Sequence, residues 1–323
     1  DGDSYVVKPL NKSELETTMH KKNFLSGAIR KLYKLIESNK EIIEKARPTV
    51  SKNSSGYALW NVWDGKTFDI TKLFVGAQGT LGITTEIKFH LVHPKKYTSL
   101  LVIFLNDLIA LPKIVSKVLE EKPESFECYD DNTLRLALRY IFTLIQLIKP
   151  KNIFSLAWQF IPEFIMTIKN FRLPKLVLLA EFTGDDQNKV LERAKRTEKN
   201  LKQINVNTHV TSDVTEMRKY FVIRRESFNL LRHHLKNERT APFIDDIIVE
   251  PKHLDIFLPR LIQILDDSTL RWTLQGHIGD GNFHIIPLIN PSDPNITTII
   301  PKVAKQVYDI VLEFHGSITA EHN

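Results

Sequence analysis

The chain has 323 residues, of which 42% are hydrophobic and 25% charged, with a formal net charge of +6. That is the composition of an ordinary soluble protein long enough to bury more than one core. A single cysteine, Cys128, excludes an internal disulfide and a thiolate metal cluster and fits a reducing compartment, so a cytoplasmic location is expected. The basic excess permits attraction to nucleic acid or an anionic membrane, but the sequence holds no arginine-rich tract and no familiar nucleic-acid motif, and its lysines are scattered over predicted helix faces.

The chain opens on Asp1-Gly2-Asp3, without the basic region and apolar core of a signal peptide. It closes abruptly at Glu321-His322-Asn323, and both ends read as cuts through structured regions, so a fragment is expected. Residues 4–9 read as a strand and Asn11–Lys21 as a short polar helix. Apolar residues at Ile29, Leu32, Tyr33, Ile36, Ile42 and Ile43 follow a helical period and predict one helix over Ala28–Ala46, ended by Pro48. A polar, turn-rich loop follows over Ser51–Tyr57.

Glycines recur every third residue at Gly76, Gly79 and Gly82 within Leu73–Glu86. Such a turn lets backbone N–H groups approach an anionic or planar cofactor. A dinucleotide fingerprint would need a helix next, whereas Ile83–Leu91 reads as a strand. Glycines demanded by tight backbone packing are the competing explanation.

His93-Pro94-Lys95-Lys96 reads as a domain boundary, dividing the chain into residues 1–95 and 96–323. Beyond it come a buried strand at Leu100–Leu105, a helix at Ala110–Glu121, an extended Ser125–Asp130 and a helix at Asn132–Leu147. Ile153–Ile168 is the most apolar stretch, and its uncharged run between Lys151 and Glu163 falls short of the roughly 18–20 residues needed to cross a bilayer. It reads either as a buried helix pair broken at Pro162 or as an interfacial lobe touching a membrane or a partner. Strand Leu176–Phe182, helix Asp186–Gln203, strand Asn207–Thr211, helix Thr215–His234, strand Phe243–Val249 and helix Pro251–Leu265 follow. This alternation predicts an α+β fold with helices on one face of a sheet.

The most informative stretch is Gln275-Gly-His-Ile-Gly-Asp-Gly-Asn-Phe-His284. Apolar β-formers flank a Gly279-Asp280-Gly281 turn, predicting a hairpin that brings His277 and His284 to one point. Two imidazoles converging suit a metal site, with Glu321 as a distant candidate third ligand. The plainer alternative is a hairpin with two surface histidines. A last helix, Ile296–Phe314, leads into Gly316-Ser-Ile-Thr-Ala-Glu-His322.

Taken with the glycine stretch and the terminal Gly-Ser-Ile-Thr-Ala-Glu-His, the chain resembles, over essentially its whole length, the FAD-linked 2-hydroxyacid dehydrogenases of the vanillyl-alcohol-oxidase-type superfamily. That group includes D-lactate dehydrogenases, the glycolate oxidase flavin subunit and D-2-hydroxyglutarate dehydrogenase. The resemblance implies that residues 1–95 are the last part of an FAD-binding domain and that 96–323 form most of a ferredoxin-like substrate or cap domain. It implies that Gly76, Gln78, Gly79, Thr80, Leu81, Gly82 and Ile83 lie along FAD, with Gln78 standing where many relatives have Glu. It further implies metal ligands His277, His284 and Glu321, a general base His322, a substrate-contacting Asn282 and a carboxylate-binding Arg225. The group's threonine one turn after that arginine is matched by Asn229, and its lysine in the next strand has no counterpart identified, which bears on substrate identity. Arg239-Thr-Ala-Pro-Phe-Ile-Asp-Asp246 is similar to larger bacterial members that carry a fused iron–sulfur region.

The function expected from this resemblance is oxidation of a D-2-hydroxy acid of the lactate or glycolate type to the 2-oxo acid. Hydride would pass to flavin, the metal would be zinc, manganese or iron, and the electron acceptor a quinone, a cytochrome, an iron–sulfur protein or an electron-transfer flavoprotein. The family's diphosphate-binding loop would precede Asp1, so this stretch alone is expected to be inactive. A metal-dependent hydrolase using the same His/His/Glu set and a non-enzymatic basic binding module are the alternatives from other classes, and peripheral contact with the cytoplasmic membrane is the membrane reading.

Overall fold

The computed structural model describes residues 2–140, 173–204, 206–234 and 237–322. These divide into two compact units. One comprises Asp1–Thr49, Asn53–Leu91 and Thr319–Asn323; the other comprises Val50–Lys52 and Val92–Ile318.

In the first unit a two-residue strand β1 (Leu10–Asn11) pairs antiparallel with β2 (Thr67–Phe68). Helix α1 (Lys12–Met19) begins with a capping box, in which Asn11 Oδ1 accepts from Glu14 N while Glu14 Oε2 accepts from Asn11 N. Helices α2 (Phe24–Ser38), α3 (Lys40–Ala46) and α4 (Thr71–Phe74) complete its regular structure. Leu15, Ile29, Ile36, Val62 and Phe68 form its core. Three expectations change here. The single helix over 28–46 is two helices parted at Asn39, a poor helix former whose side chain donates back to Leu35 O. Residues 4–9 and 83–91 carry strand-like patterns, yet no described strand pairs with them, and both are irregular. Alternation supplies the propensity for a strand, but the ladder needs a neighbour.

The second unit is built on an eight-stranded sheet. Its strands are β3 (Tyr97–Leu105), β4 (Ser125–Asp130), β5 (Leu176–Gly184), β6 (Asn207–Thr211), β7 (Arg239–Thr240), β8 (Ile247–Ile248), β9 (Arg271–His277) and β10 (Asn282–Ile289). The order is β6-β3-β5-β4-β9-β10-β7, with β8 also pairing with β10. Each ladder is antiparallel; β9 and β10 are consecutive in the chain, whereas β3, β4, β5 and β6 are interleaved in the sheet.

Helices cover both faces, which corrects the one-face expectation. Helices α5 (Leu111–Leu119), α7 (Gln187–Leu201), α9 (Leu254–Asp267) and α10 (Ile296–Glu313) pack on Leu101, Ile103, Cys128, Leu178, Phe283 and their neighbours. Helices α6 (Asp131–Arg139) and α8 (Val214–His234) pack on the other face, against Leu100, Val102, Tyr129, Val177 and Leu179. The sequence carried the sign of this: Leu100–Leu105 is an unbroken apolar run rather than an alternating one, as a strand covered on both sides requires.

Two further differences bear on the site. The strand expected over 243–249 shrinks to Ile247–Ile248, because residues 243–246 form a turn in which Asp246 adopts a left-handed backbone (φ 70°). Helix 132–147 is seen over its described part as α6, while its remainder and the apolar 153–168 stretch lie outside the described residues. Among the described residues no helix is long and apolar enough to cross a membrane.

A candidate metal centre on the sheet

The hairpin of β9 and β10 sets the site. Its register pairs His277 with Asn282 and Gln275 with His284, so the two histidines are diagonal neighbours. Side-chain alternation sends Phe283 and Ile285 into the core on one face and leaves Asn282 and His284 on the other. The two imidazole rings lie 5.4 Å apart, centre to centre, edge to face. The connection Ile278–Gly281 is a tight turn closed by Asp280 N→His277 O (3.0 Å) and Gly281 N→Ile278 O (3.1 Å). Gly281 is required there twice over: its φ is +73°, and a Cβ would run into the Val249 carbonyl. Gly281→Ala should therefore destabilise this unit by about 2 kcal/mol or more, read as a fall in the urea midpoint; an unchanged midpoint would contradict this account of the turn. Asp280 is clamped by Ser51 Oγ (2.8 Å) and Lys52 Nζ (3.1 Å).

Each histidine is held at Nδ1 by a carboxylate. His277 Nδ1 meets Glu127 Oε1 at 2.9 Å, and His284 Nδ1 meets Asp245 Oδ1 at 3.1 Å, with Asp246 Oδ1 at 4.0 Å. An ionised carboxylate only accepts, so the ring nitrogen that faces it must be the donor in each of these bonds. Asp246, almost fully buried, is in turn fixed by Asn282 Nδ2, which donates to Asp246 Oδ1 and to Ile247 O, both at 3.1 Å. The Asn282 side chain is fully buried, and among the described residues its Oδ1 has no hydrogen-bond partner.

Two imidazoles beside carboxylates, with the buried Asn282 amide on the same sheet face, fit a divalent cation of the zinc, manganese or iron kind. A cavity of about 330 Å³ borders His277, lined also by Lys52, Phe126, Glu127 and Asp280. A larger recess of about 480 Å³, around Lys96, Glu181, Arg218 and Phe221, lacks any histidine.

The remaining site residues expected from sequence are placed as follows. Arg225 on α8 is exposed and pairs with Glu226 (2.8 Å). Its neighbour Arg224 instead turns inward and pairs with Glu127 (2.5 Å). Glu321 and His322 are exposed and belong to the tail Thr319–Asn323 of the first unit, where Ser54 N donates to Thr319 O (3.2 Å). Gly76–Ile83 also belongs to the first unit and forms an exposed loop after α4. Gly76, Gln78 and Gly79 have positive φ, and a Cβ at Gly79 or Gly82 would meet nothing within 4 Å. Among the described residues no close packing accounts for those two glycines, whose φ of +77° and +151° themselves favour glycine.

Glu127, Asp245 and Arg224 were not singled out from the sequence as site residues. The signal for Glu127 was its parity, since it is the one acidic residue in the interior of an otherwise apolar β4 run, Phe126 to Tyr129. Asp245 stood within the quoted Arg239–Asp246 stretch without a role.

Residues 94–323 match the family described as FAD linked oxidases, C-terminal domain. The chain belongs to that family. Among curated relatives, D-2-hydroxyglutarate dehydrogenase of Escherichia coli (strain K12) is 22% identical over 332 residues, covering 99% of this chain and 31% of the relative. D-lactate dehydrogenase of Anaerostipes hadrus is 24% identical over 291 residues, covering 87% of this chain and 53% of the relative. The Bacillus subtilis glycolate oxidase subunit GlcD is 22% identical and covers 79% of this chain and 48% of its own length. The chain thus spans about a third to a half of the relatives it matches. In structure it is similar to an alkyldihydroxyacetonephosphate synthase, with a TM-score of 0.51 at 14% identity over 78% of this chain and 47% of that one. This likeness supports the α+β fold expected for the FAD-linked family.

Proposed function

We propose that the chain is the substrate-side portion of an FAD-dependent enzyme that oxidises a small D-2-hydroxy acid to its 2-oxo acid. The observation that carries this reading is the pair of carboxylate-held histidines on one sheet face, in a chain whose family is FAD-linked and whose named relatives act on 2-hydroxy acids.

FAD, when bound, supplies the hydride acceptor, and a divalent metal supplies Lewis-acid polarisation of the substrate hydroxyl. In this reading His277 and His284 offer Nε2 to the metal. Glu321 is the proposed third ligand. His322 is the proposed base that takes the hydroxyl proton onto an imidazole nitrogen as C2 gives up its hydride. Arg225 is the proposed fork for the substrate carboxylate, exchanging its Glu226 partner for the substrate. Asn282 holds the Asp246 turn with its amide N–H groups and keeps Oδ1 for the site. The loop Gly76–Ile83 is the proposed flavin contact.

The test is dye-linked oxidation of a panel of D-2-hydroxy acids by the full-length parent, with and without a chelator. Activity lost to the chelator and restored by zinc or manganese is the expected result. A flavin-bearing protein inert to every 2-hydroxy acid would sink the substrate class, and a colourless one would sink the flavin reading. Arg225→Met is expected to raise KM for the hydroxy acid about 10–100-fold, the range of a lost charge-assisted bond. An unchanged KM would remove Arg225 from the carboxylate site. A metal-dependent hydrolase has no particular observation in its favour.

A further inference from the structure

We propose that residues 83–91 are the docking edge of a symmetric dimer, in which two copies of the chain pair antiparallel across Ile87. The segment Ile83-Thr-Thr-Glu-Ile-Lys-Phe-His-Leu91 belongs to the first unit, and every one of its residues is exposed. Its large apolar side chains, Ile83, Ile87, Phe89 and Leu91, are between 60% and 94% exposed. Among the described residues, none of the segment makes a hydrogen bond or an ion pair, and none of it has a positive φ. A run of strand-formers with open backbone groups and an apolar side is a template for pairing with another strand.

The pattern of side chains selects the partner. Residues directly opposite in an antiparallel ladder share a face, and a two-fold axis sets residue i opposite j and j opposite i. With the axis through Ile87, Ile83 stands opposite Leu91, Thr85 opposite Phe89 and Ile87 opposite itself, which gathers the apolar side chains on one face. On the other face Glu86 stands opposite Lys88 twice, once on each side of the axis, with Thr84 opposite His90 beyond. The neighbouring registers lose this match. A slip of one residue sets the apolar positions of one copy opposite the polar positions of the other. An axis through Glu86 opposes two glutamates, and an axis through Lys88 opposes two lysines. Opposite charges on either side of a central apolar residue thus make the segment complementary to its own copy. A single short strand from each copy makes a small interface, so the association is expected to be weak and reversible.

Sedimentation equilibrium of the chain over a range of concentrations reads the dimer, with thermal melts to confirm that each variant folds. Glu86, Ile87 and Lys88 are all exposed, so changes there leave the core of the unit untouched. Ile87→Lys places two lysines on the axis and should abolish the dimer. Glu86→Lys leaves only lysines facing one another, Lys88→Glu only glutamates, and each should weaken self-association about 10-fold or more. The double variant Glu86→Lys/Lys88→Glu restores the match and should recover the wild-type constant within about threefold. Mixing the two single variants should yield a heterodimer as tight as the wild-type dimer, since lysines then meet glutamates at both places.

A chain that stays monomeric at every concentration would overturn the proposal. So would a dimer indifferent to these charges, which would lie on another face. A full-length parent that is monomeric while its residues 83–91 resist hydrogen exchange would assign this edge to the rest of its own chain, and would overturn the proposal as well.

Discussion

Replacing His277 or His284 with alanine is expected to abolish stoichiometric metal binding and to lower kcat/KM of the full-length enzyme by at least about 1000-fold, or ~4 kcal/mol of transition-state stabilisation. The size follows from the geometry. The two rings are 5.4 Å apart and each is held at Nδ1 by its own carboxylate. Loss of one ring removes a donor and takes away the imidazole partner of its carboxylate. Histidine–carboxylate pairing alone does not confer this role, and the chain contains the control. His209 Nε2 lies 2.9 Å from Glu216, but His209 is on the edge strand β6, far along the sheet order from β9. His209→Ala should leave metal content and kcat/KM within about twofold, since that pair lies at the other edge of the sheet. Metal analysis of purified protein beside steady-state kinetics reads both results. Retained metal in both H277A and H284A would remove the hairpin from the site.

The hairpin was legible in the sequence because its chemistry is local. Turn glycines, flanking β-formers and the spacing of His277 and His284 all lie within ten residues. The helix starts at Asn11 and Asp186 were legible for the same reason, since each cap acts within three residues, whereas the start at Asn23 was placed four residues too late, at Ala28. What escaped was non-local. Glu127 reaches His277 from 150 positions away, and Arg224 reaches Glu127 from a helix laid over the sheet. No periodicity distinguishes Arg224 from Arg225: adjacent residues on a helix point about 100° apart, and only the packing of α8 decides which one turns inward. The strand-like alternation of Ile83–Leu91 misled for the converse reason. It states a propensity, and a ladder forms only where another strand stands beside it.

Asp130 supplies the second large effect, on stability rather than on catalysis. It ends β4 and caps α6: Oδ1 accepts from Thr133 N (2.8 Å) and Oδ2 from Leu274 N on β9 (3.0 Å). Burial pushes its carboxyl up to about 7 from 3.8, against the pull of those backbone N–H groups. The folded protein therefore holds a proton between about pH 4 and pH 7 that the unfolded chain has already released. This contribution is fully present below the unfolded value and is lost as pH rises through the folded one. Three pH units at 1.36 kcal/mol each set its ceiling at about 4 kcal/mol. Asp130→Asn removes the titration. It keeps an oxygen for Thr133 N, but turns an NH2 toward the Leu274 N–H, costing about 1–2 kcal/mol at every pH. Urea unfolding between pH 5 and pH 8 should then show wild-type stability falling with pH while D130N stays comparatively flat, so that the curves converge or cross near pH 7. The difference between the two proteins isolates Asp130, because the histidines titrate in both. Parallel curves would mean that the two backbone donors outweigh burial and keep Asp130 ionised in the fold, a carboxylate cap instead of a protonated one.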